Sequence, residues 1–238
     1  MERLLDISAG IDRGQELSED DFDFLRNIRE ILDDLDEIQS GPAPADTAIQ
    51  PASGPALGIV VGHMKSAQGA FATSPINASE YEWNSHLAGL ILAECAARNV
   101  EAQVFYRDGV GISGAYKQVD AYGATCVLEL HFNAAKGNAR GTETLYDGDT
   151  NKMSESWANA LQVAMVDVYG RTGSADRGLK ERDPGDRGYK SLSSSDIPSA
   201  LIEPFFGDHP GDAHLGHETK KALAAAIAET AATWLLTS

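Results

Sequence analysis

Val127-Leu128-Glu129-Leu130-His131-Phe132-Asn133-Ala134 is the stretch that decides how this chain folds. It is a short apolar run, broken by one acid, with a histidine near its end. Apolar runs of this length, bounded by turn residues, suit a strand buried on both faces, as in parallel sheets. Open α/β sheets gather ligands in the crevice outside the carboxyl ends of their strands. A histidine at that end stands where chemistry is expected, although a lone one is more often a satisfied core residue.

The pattern repeats outward from there. Leu57-Gly58-Ile59-Val60-Val61 is a second apolar run and ends in Gly62-His63. Ser199-Ala200-Leu201-Ile202-Glu203 is a third and ends in a carboxylate, before the turn Pro204 to Asp208. Val100 to Tyr106 reads as a further strand, and Gly141 to Tyr146 alternates as an edge-type strand. Helical spacing predicts helices over Ser79–Arg98, Ser113–Tyr122, Ser154–Tyr169 and Asp212–Leu235. Their apolar faces carry Leu87, Ile91 and Cys95, then Trp157, Leu161 and Val168, then Leu223, Ile227 and Trp234. Ser66 to Asn77 reads as a loop of small residues, and Asp176 to Lys190 as a polar loop of mixed charge. Strands alternating with helices predict an α/β sheet sandwich.

Length and charge narrow the function classes. The 238 residues suffice for one large domain or two small ones. A net charge of −17 argues against nucleic acid and against anionic membrane as partners. No apolar run is long enough to span a bilayer. Cys95 and Cys126 read as buried thiols rather than metal ligands, with no cysteine or histidine close by in sequence. Residues 1–55 hold 14 acidic and 4 basic residues, a net of −10, which leaves −7 for the rest.

Three segments follow from composition. Residues 1–40 are an acidic helical segment, opened by Ser18-Glu19-Asp20-Asp21, with Phe22, Leu25, Ile28, Leu32 and Leu35 on one stripe. That helix either packs on its own domain or serves docking or self-association. Residues 41–56, rich in Pro, Ala and Gly, form a linker, and 57–238 form the main domain. Met1 to Asp6 lacks the basic and apolar regions of a secretory signal, so the chain is expected to be made in the cytoplasm.

Four residues carry the chemical expectation. His63, His131 and Glu203 end three strands, and Glu80 opens a helix. Ser79 and Glu82 have the spacing of a capping box, which occupies Glu82 and frees Glu80 to point elsewhere. Two histidines and one carboxylate, with a position left for water, make a catalytic zinc arrangement. A further carboxylate beside that water is the usual general base.

At these residues the chain resembles a family. Val61-Gly62-His63, Ser79-Glu80 through Asn84, Leu130-His131-Phe132-Asn133-Ala134 with Arg140-Gly141-Thr142-Glu143, Arg177-Gly178-Leu179-Lys180, and Leu201-Ile202-Glu203-Pro204-Phe205-Phe206 resemble the zinc-dependent N-acetylmuramoyl-L-alanine amidases of the amidase-3 type. Order and spacing match from about Leu57 to Leu235. The family usually places Asp-Pro before Gly-His and Gly-Gly after it, where this chain has Val60-Val61 and Met64-Lys65. The resemblance implies a single domain with a mostly parallel twisted sheet between helices. It implies that His63, Glu80 and His131 hold zinc and that Glu203 activates water. The substrate would be peptidoglycan, cut at the amide between the lactyl group of N-acetylmuramic acid and L-alanine of the stem peptide.

Further residues are placed around that site. Strand alternation puts Glu129 on the face of His131, where it hydrogen-bonds a zinc-ligating histidine or pairs with a nearby Lys or Arg. Arg140 and Lys180 are candidates for the stem-peptide carboxylates, with solvated surface charge as the alternative. Asn84 orients Glu80, touches substrate, or is an ordinary polar helix position. His86, His209, His214 and His217 read as surface residues.

A wall hydrolase without a signal reaches its substrate after lysis, by non-standard export, or inside a phage-like particle. The rival readings are another zinc amidohydrolase or carboxypeptidase of small substrates, or a non-catalytic particle module with the same fold.

Overall fold

The computed structural model describes residues 49–237, so the acidic helix of residues 1–40 and the start of the linker lie outside it. Six strands form one sheet in the order β2-β1-β3-β6-β4-β5. They are β1 (Ala56–Val61), β2 (Glu101–Phe105), β3 (Cys126–Leu130), β4 (Thr142–Tyr146), β5 (Asp176–Glu181) and β6 (Ser199–Glu203). Every pairing is parallel except β4 with β6. The α/β sandwich expected from the sequence is the observed architecture.

The apolar runs explain which strands are central. β1, β3 and β6 are buried along their whole length, as continuous apolar strands covered on both faces should be. One face carries Leu57, Ile59, Val61, Leu128 and Leu130. Against it pack α1 (Glu80–Ala97), α3 (Ser154–Val168) and α5 (Pro210–Leu235), through Leu87, Ile91, Trp157, Leu161, Leu223 and Ile227. The other face carries Val60 and Val127 and is covered by α2 (Gly111–Tyr122), through Ala115, Tyr116 and Val119. A short helix, α4 (Tyr189–Leu192), lies on the same side beside Leu145 and Leu201. Cys95 and Cys126 are free thiols inside the first core. Among the described residues no helix is long and apolar enough to cross a membrane.

Two details differ from the expectation. β4 is fully buried between β6 and β5, not an edge strand. The edge is β5, which lies in the stretch expected to be loop. Asp176-Arg177-Gly178-Leu179-Lys180-Glu181 pairs on one side only, so it needs no apolar alternation and shows none.

The topology fixes where a site can form. The chain leaves β1 for β2 on one side, then crosses back to β3 on the other. Strand order reverses between β1 and β3, which opens a crevice at their carboxyl ends. β6 runs parallel beside β3 and ends at the same edge.

Candidate active site

His63 follows β1 and enters the crevice with φ 67°, a left-handed backbone that side chains other than glycine seldom adopt. Two glycines make room around it. A Cβ on Gly62 would lie 2.4 Å from the Leu130 carbonyl oxygen and 2.5 Å from the His131 ring. A Cβ on Gly69 would lie 2.6 Å from Glu80 Oε2 and 2.7 Å from His63 Nε2.

Glu80 is aimed by its helix start. The capping box is complete: Ser79 Oγ accepts from the Glu82 N–H at 3.2 Å, and Glu82 Oε2 accepts from the Ser79 N–H at 2.9 Å. Glu80, one residue inside the cap, turns inward and is buried. Its Oε1 lies 2.7 Å from His131 Nδ1 and accepts from the Phe132 N–H at 3.2 Å. Its Oε2 accepts from the Ala70 N–H at 3.1 Å and lies 3.1 Å from His63 Nε2.

His63, Glu80 and His131 each offer a ligand atom, and these atoms lie within 4.8 Å of one another. His63 Nε2 is buried without a hydrogen bond. Two imidazoles and one carboxylate with converging ligand atoms could hold a divalent metal ion. Burial opposes the charge of Glu80, but the two histidines outweigh it and hold its carboxyl well below the ordinary range. Burial likewise works against a charged His131, yet its bonds to Glu129 and Glu80 push it up to about 10.

Glu129 serves three partners at once. Its Oε1 lies 2.7 Å from His131 Nε2 and also accepts from the Arg107 guanidinium. Its Oε2 accepts from the Tyr116 hydroxyl at 2.8 Å, and Arg107 donates onward to Ser191 Oγ at 2.8 Å. The two sequence readings, histidine partner and arginine partner, therefore coexist. Burial disfavours the charge on Glu129, but Arg107 and His131 overcome it and bring the carboxyl down to about 2.

Glu203 ends β6 on the far side of His131. Its Oε2 is buried and has no partner. Burial, with Glu80 and Glu143 nearby, pushes its carboxyl up to about 8 against the pull of His131 and Arg187. Glu143 stands opposite it across the β4–β6 pair and is itself held by Asn133 Nδ2 at 2.7 Å and Arg177 Nε at 2.6 Å. A cleft of about 280 Å³ opens over His63, His131 and Glu203. A cleft with a metal-ligating cluster, a carboxylate holding a free oxygen and a hydrogen-bonded shell is equipped for hydrolysis.

Three candidates from the sequence fall elsewhere. Asn84 is fully buried, with neither side-chain polar atom bonded, so it offers substrate no surface. Arg140 and Lys180 do not line the cleft; Arg140 is exposed. Arg107, Arg182, Arg187 and Lys190 do line it. Sequence reasoning missed these because the segment after β5 returns across the cleft mouth into α4, a path no local pattern encodes. Arg107 and Tyr116 were missed because their partner Glu129 lies 22 and 13 residues away. Of the four histidines read as surface residues, only His214 is exposed; His209 accepts from the Asp212 N–H at 3.2 Å, and His86 lies 2.8 Å from Lys220 Nζ.

Comparisons with known proteins agree with this geometry. The chain resembles Cwp6 from Clostridium difficile, at 16% identity over 75% of this chain and 29% of that one, with a TM-score of 0.66. It resembles the catalytic domain of CwlV, an N-acetylmuramoyl-L-alanine amidase from Bacillus (Paenibacillus) polymyxa, at 19% identity over 77% and 99% of the two chains, with a TM-score of 0.65. It also resembles the catalytic domain of an endolysin targeting Clostridium difficile, at 25% identity over 74% and 96%, with a TM-score of 0.61. This chain thus spans less than a third of Cwp6 but nearly all of the two catalytic domains. A search of curated protein sequences returned no match. The profile of the amidase-3 family, described as N-acetylmuramoyl-L-alanine amidase, matches residues 57–232, and the chain belongs to that family.

Proposed function

We propose that this protein is a zinc-dependent peptidoglycan hydrolase that cuts the amide between the lactyl group of N-acetylmuramic acid and L-alanine. The observation that carries the reading is the convergence of His63, Glu80 and His131 beside a buried Glu203 whose Oε2 is unpartnered. Family membership supports the choice of bond. The likeness to an endolysin catalytic domain supports a lytic setting.

His63, Glu80 and His131 would hold the zinc, and Glu129 would fix His131. With Glu129 accepting at Nε2, the lone pair of His131 is left at Nδ1, on the side of Glu80. Zinc in this site supplies Lewis acidity, which makes water a better nucleophile and an amide carbonyl a better electrophile. A cation there also lowers the proton affinity of Glu203, so that it is ionised as a base near neutral pH. Glu203 takes a proton as water attacks the lactyl carbonyl, then returns it to the nitrogen of L-alanine as the C–N bond breaks. The products are a lactyl carboxylic acid and a stem peptide with a free amine.

Digestion of purified peptidoglycan, with mass spectrometry of the products and zinc analysis, tests this. Wild type should release intact stem peptides, and Glu203→Ala should release none while still carrying zinc. Bound zinc with no such products would point to another substrate, and absence of both would sink the enzyme reading.

A further inference from the structure

The cleft that holds Glu203 also holds cations that the catalytic reading leaves unused. Arg182, Arg187 and Lys190 line the cleft along the segment from β5 into α4. Among the described residues none of the three has an ion-pair partner. The other cleft cation, Arg107, is neutralised by Glu129. Arg182 is anchored by its N–H, which donates to the Tyr146 carbonyl at 2.9 Å, and its Nε is buried with no acceptor. In a chain of net charge −17, three uncompensated cations on one wall are a local reversal of sign. Leu145, Leu201 and Ile112 add apolar surface to the same cleft.

An unpartnered guanidinium in a cleft is built to receive a carboxylate. If the amidase reading above holds, the scissile amide sits at Glu203 and the stem peptide runs away from it. A residue spans about 3.5 Å in extended chain, so the second residue's α-carbon lies roughly 7 Å from the cut. Arg182, Arg187 and Lys190 line the same cleft as Glu203, so a stem peptide extending from the scissile amide runs past them. In stem peptides the second residue is D-glutamate joined through its side chain, with its α-carboxyl either free or converted to an amide.

We propose that Arg182, Arg187 and Lys190 form an anion subsite that grips the free α-carboxylate of this D-glutamate and makes the enzyme prefer it over the α-amide. The preference is electrostatic and planar: a guanidinium fork matches a carboxylate and finds only a neutral carbonyl and an unwanted N–H donor in the amide.

The test uses the full zinc-loaded chain and glycan strands with three synthetic stems. These are L-Ala-γ-D-Glu-L-Lys, the same stem with D-isoglutamine, and the first stem with its C-terminus amidated. Release of stem peptide gives kcat/KM for each. The free D-glutamate stem should be cut about tenfold faster than the isoglutamine stem, the scale of one charge-assisted contact. Arg187→Gln, at an exposed position, and Arg182→Lys, which keeps charge but loses the fork, should each bring that ratio toward one. Equal rates on the first two stems, or a ratio unmoved by both variants, would overturn the subsite while leaving the amidase intact. Loss of rate only with the amidated C-terminus would assign the wall to the terminal carboxylate and overturn the choice of residue. Cleavage of no stem at all would overturn the amidase reading itself.

Discussion

The two walls of one cleft are built by opposite means. On one side, His63 and His131 follow strands, Glu203 ends one, and Glu80 opens a helix. On the other side, Arg182, Arg187 and Lys190 stand in the chain between an edge strand and a helix of four residues. The first wall is mostly buried; Glu80, His131 and Glu129 contact one another or Arg107, and Glu203 keeps a buried oxygen without a partner. Arg187 and Lys190 of the second are exposed and have no ionic partner among the described residues. Groups that do chemistry need fixed positions, and the ends of buried strands supply them. Groups that recognise a charged substrate need free valences, and a mouth segment supplies those.

That contrast breaks first at Glu203. If the buried wall holds the base, Glu203→Ala lowers kcat by about 10²–10⁴-fold, the scale of general-base catalysis, with zinc content unchanged. A variant with near wild-type turnover would move the base elsewhere.

The next effect falls on the metal. Glu129→Gln keeps the shape but cannot hold both His131 and Arg107 as a carboxylate does. Zinc affinity, read by competition with a chelator, should drop about 10–100-fold, as for other carboxylates that support a ligating histidine. Unchanged affinity would reduce Glu129 to a partner for Arg107.

The buried wall also predicts a pH signature. In the metal-free protein His131 is held up to about 10, above its ordinary 6.5. A raised histidine adds stability that is complete below pH 6.5 and disappears as pH climbs toward 10. Glu203, raised from 4.5 to about 8, acts in the same direction, since its buried neutral form is lost as pH rises. Thermal melts of metal-free protein should therefore fall between pH 4.5 and 10, Glu203 acting from 4.5 to 8 and His131 from 6.5 to 10. Zinc should cancel this fall and, by displacing the proton of His131 and ionising Glu203, release about two protons on binding at neutral pH, measurable by titration calorimetry in buffers of different ionisation enthalpy. No proton release would mean that His131 is neutral before the metal arrives.

The smallest expected change lies on the open wall. Arg187→Gln should alter unfolding free energy by no more than about 0.5 kcal/mol, because the side chain is exposed and unpaired. A larger loss would show that the wall is structural after all.

The same contrast governs what could be read in advance. His63, His131 and Glu203 stood out because each closes a continuous apolar run, and runs buried on both faces mark central parallel strands. Glu80 stood out because Ser79 and Glu82 satisfy each other, leaving the acid between them without a structural duty. β5 was hidden, since an edge strand with one partner and a single apolar residue, Leu179, carries no period. Arg140 and Lys180 belong to local motifs, whereas Arg182, Arg187 and Lys190 reach the cleft only through the fold. Asn84 shared the face of Glu80 by helical spacing, but that face points into the protein.

The sequence by itself determined the sheet, its central strands and which side chains arrive at their ends, because burial and periodicity are local properties of the chain. Tertiary structure alone decided that Glu129 is shared between His131 and Arg107, that Glu203 keeps an unpartnered oxygen, and that Arg182, Arg187 and Lys190 line the same cleft. Those depend on strand order and on the return of residues 182–190 across the cleft, where the contacts join residues far apart in sequence.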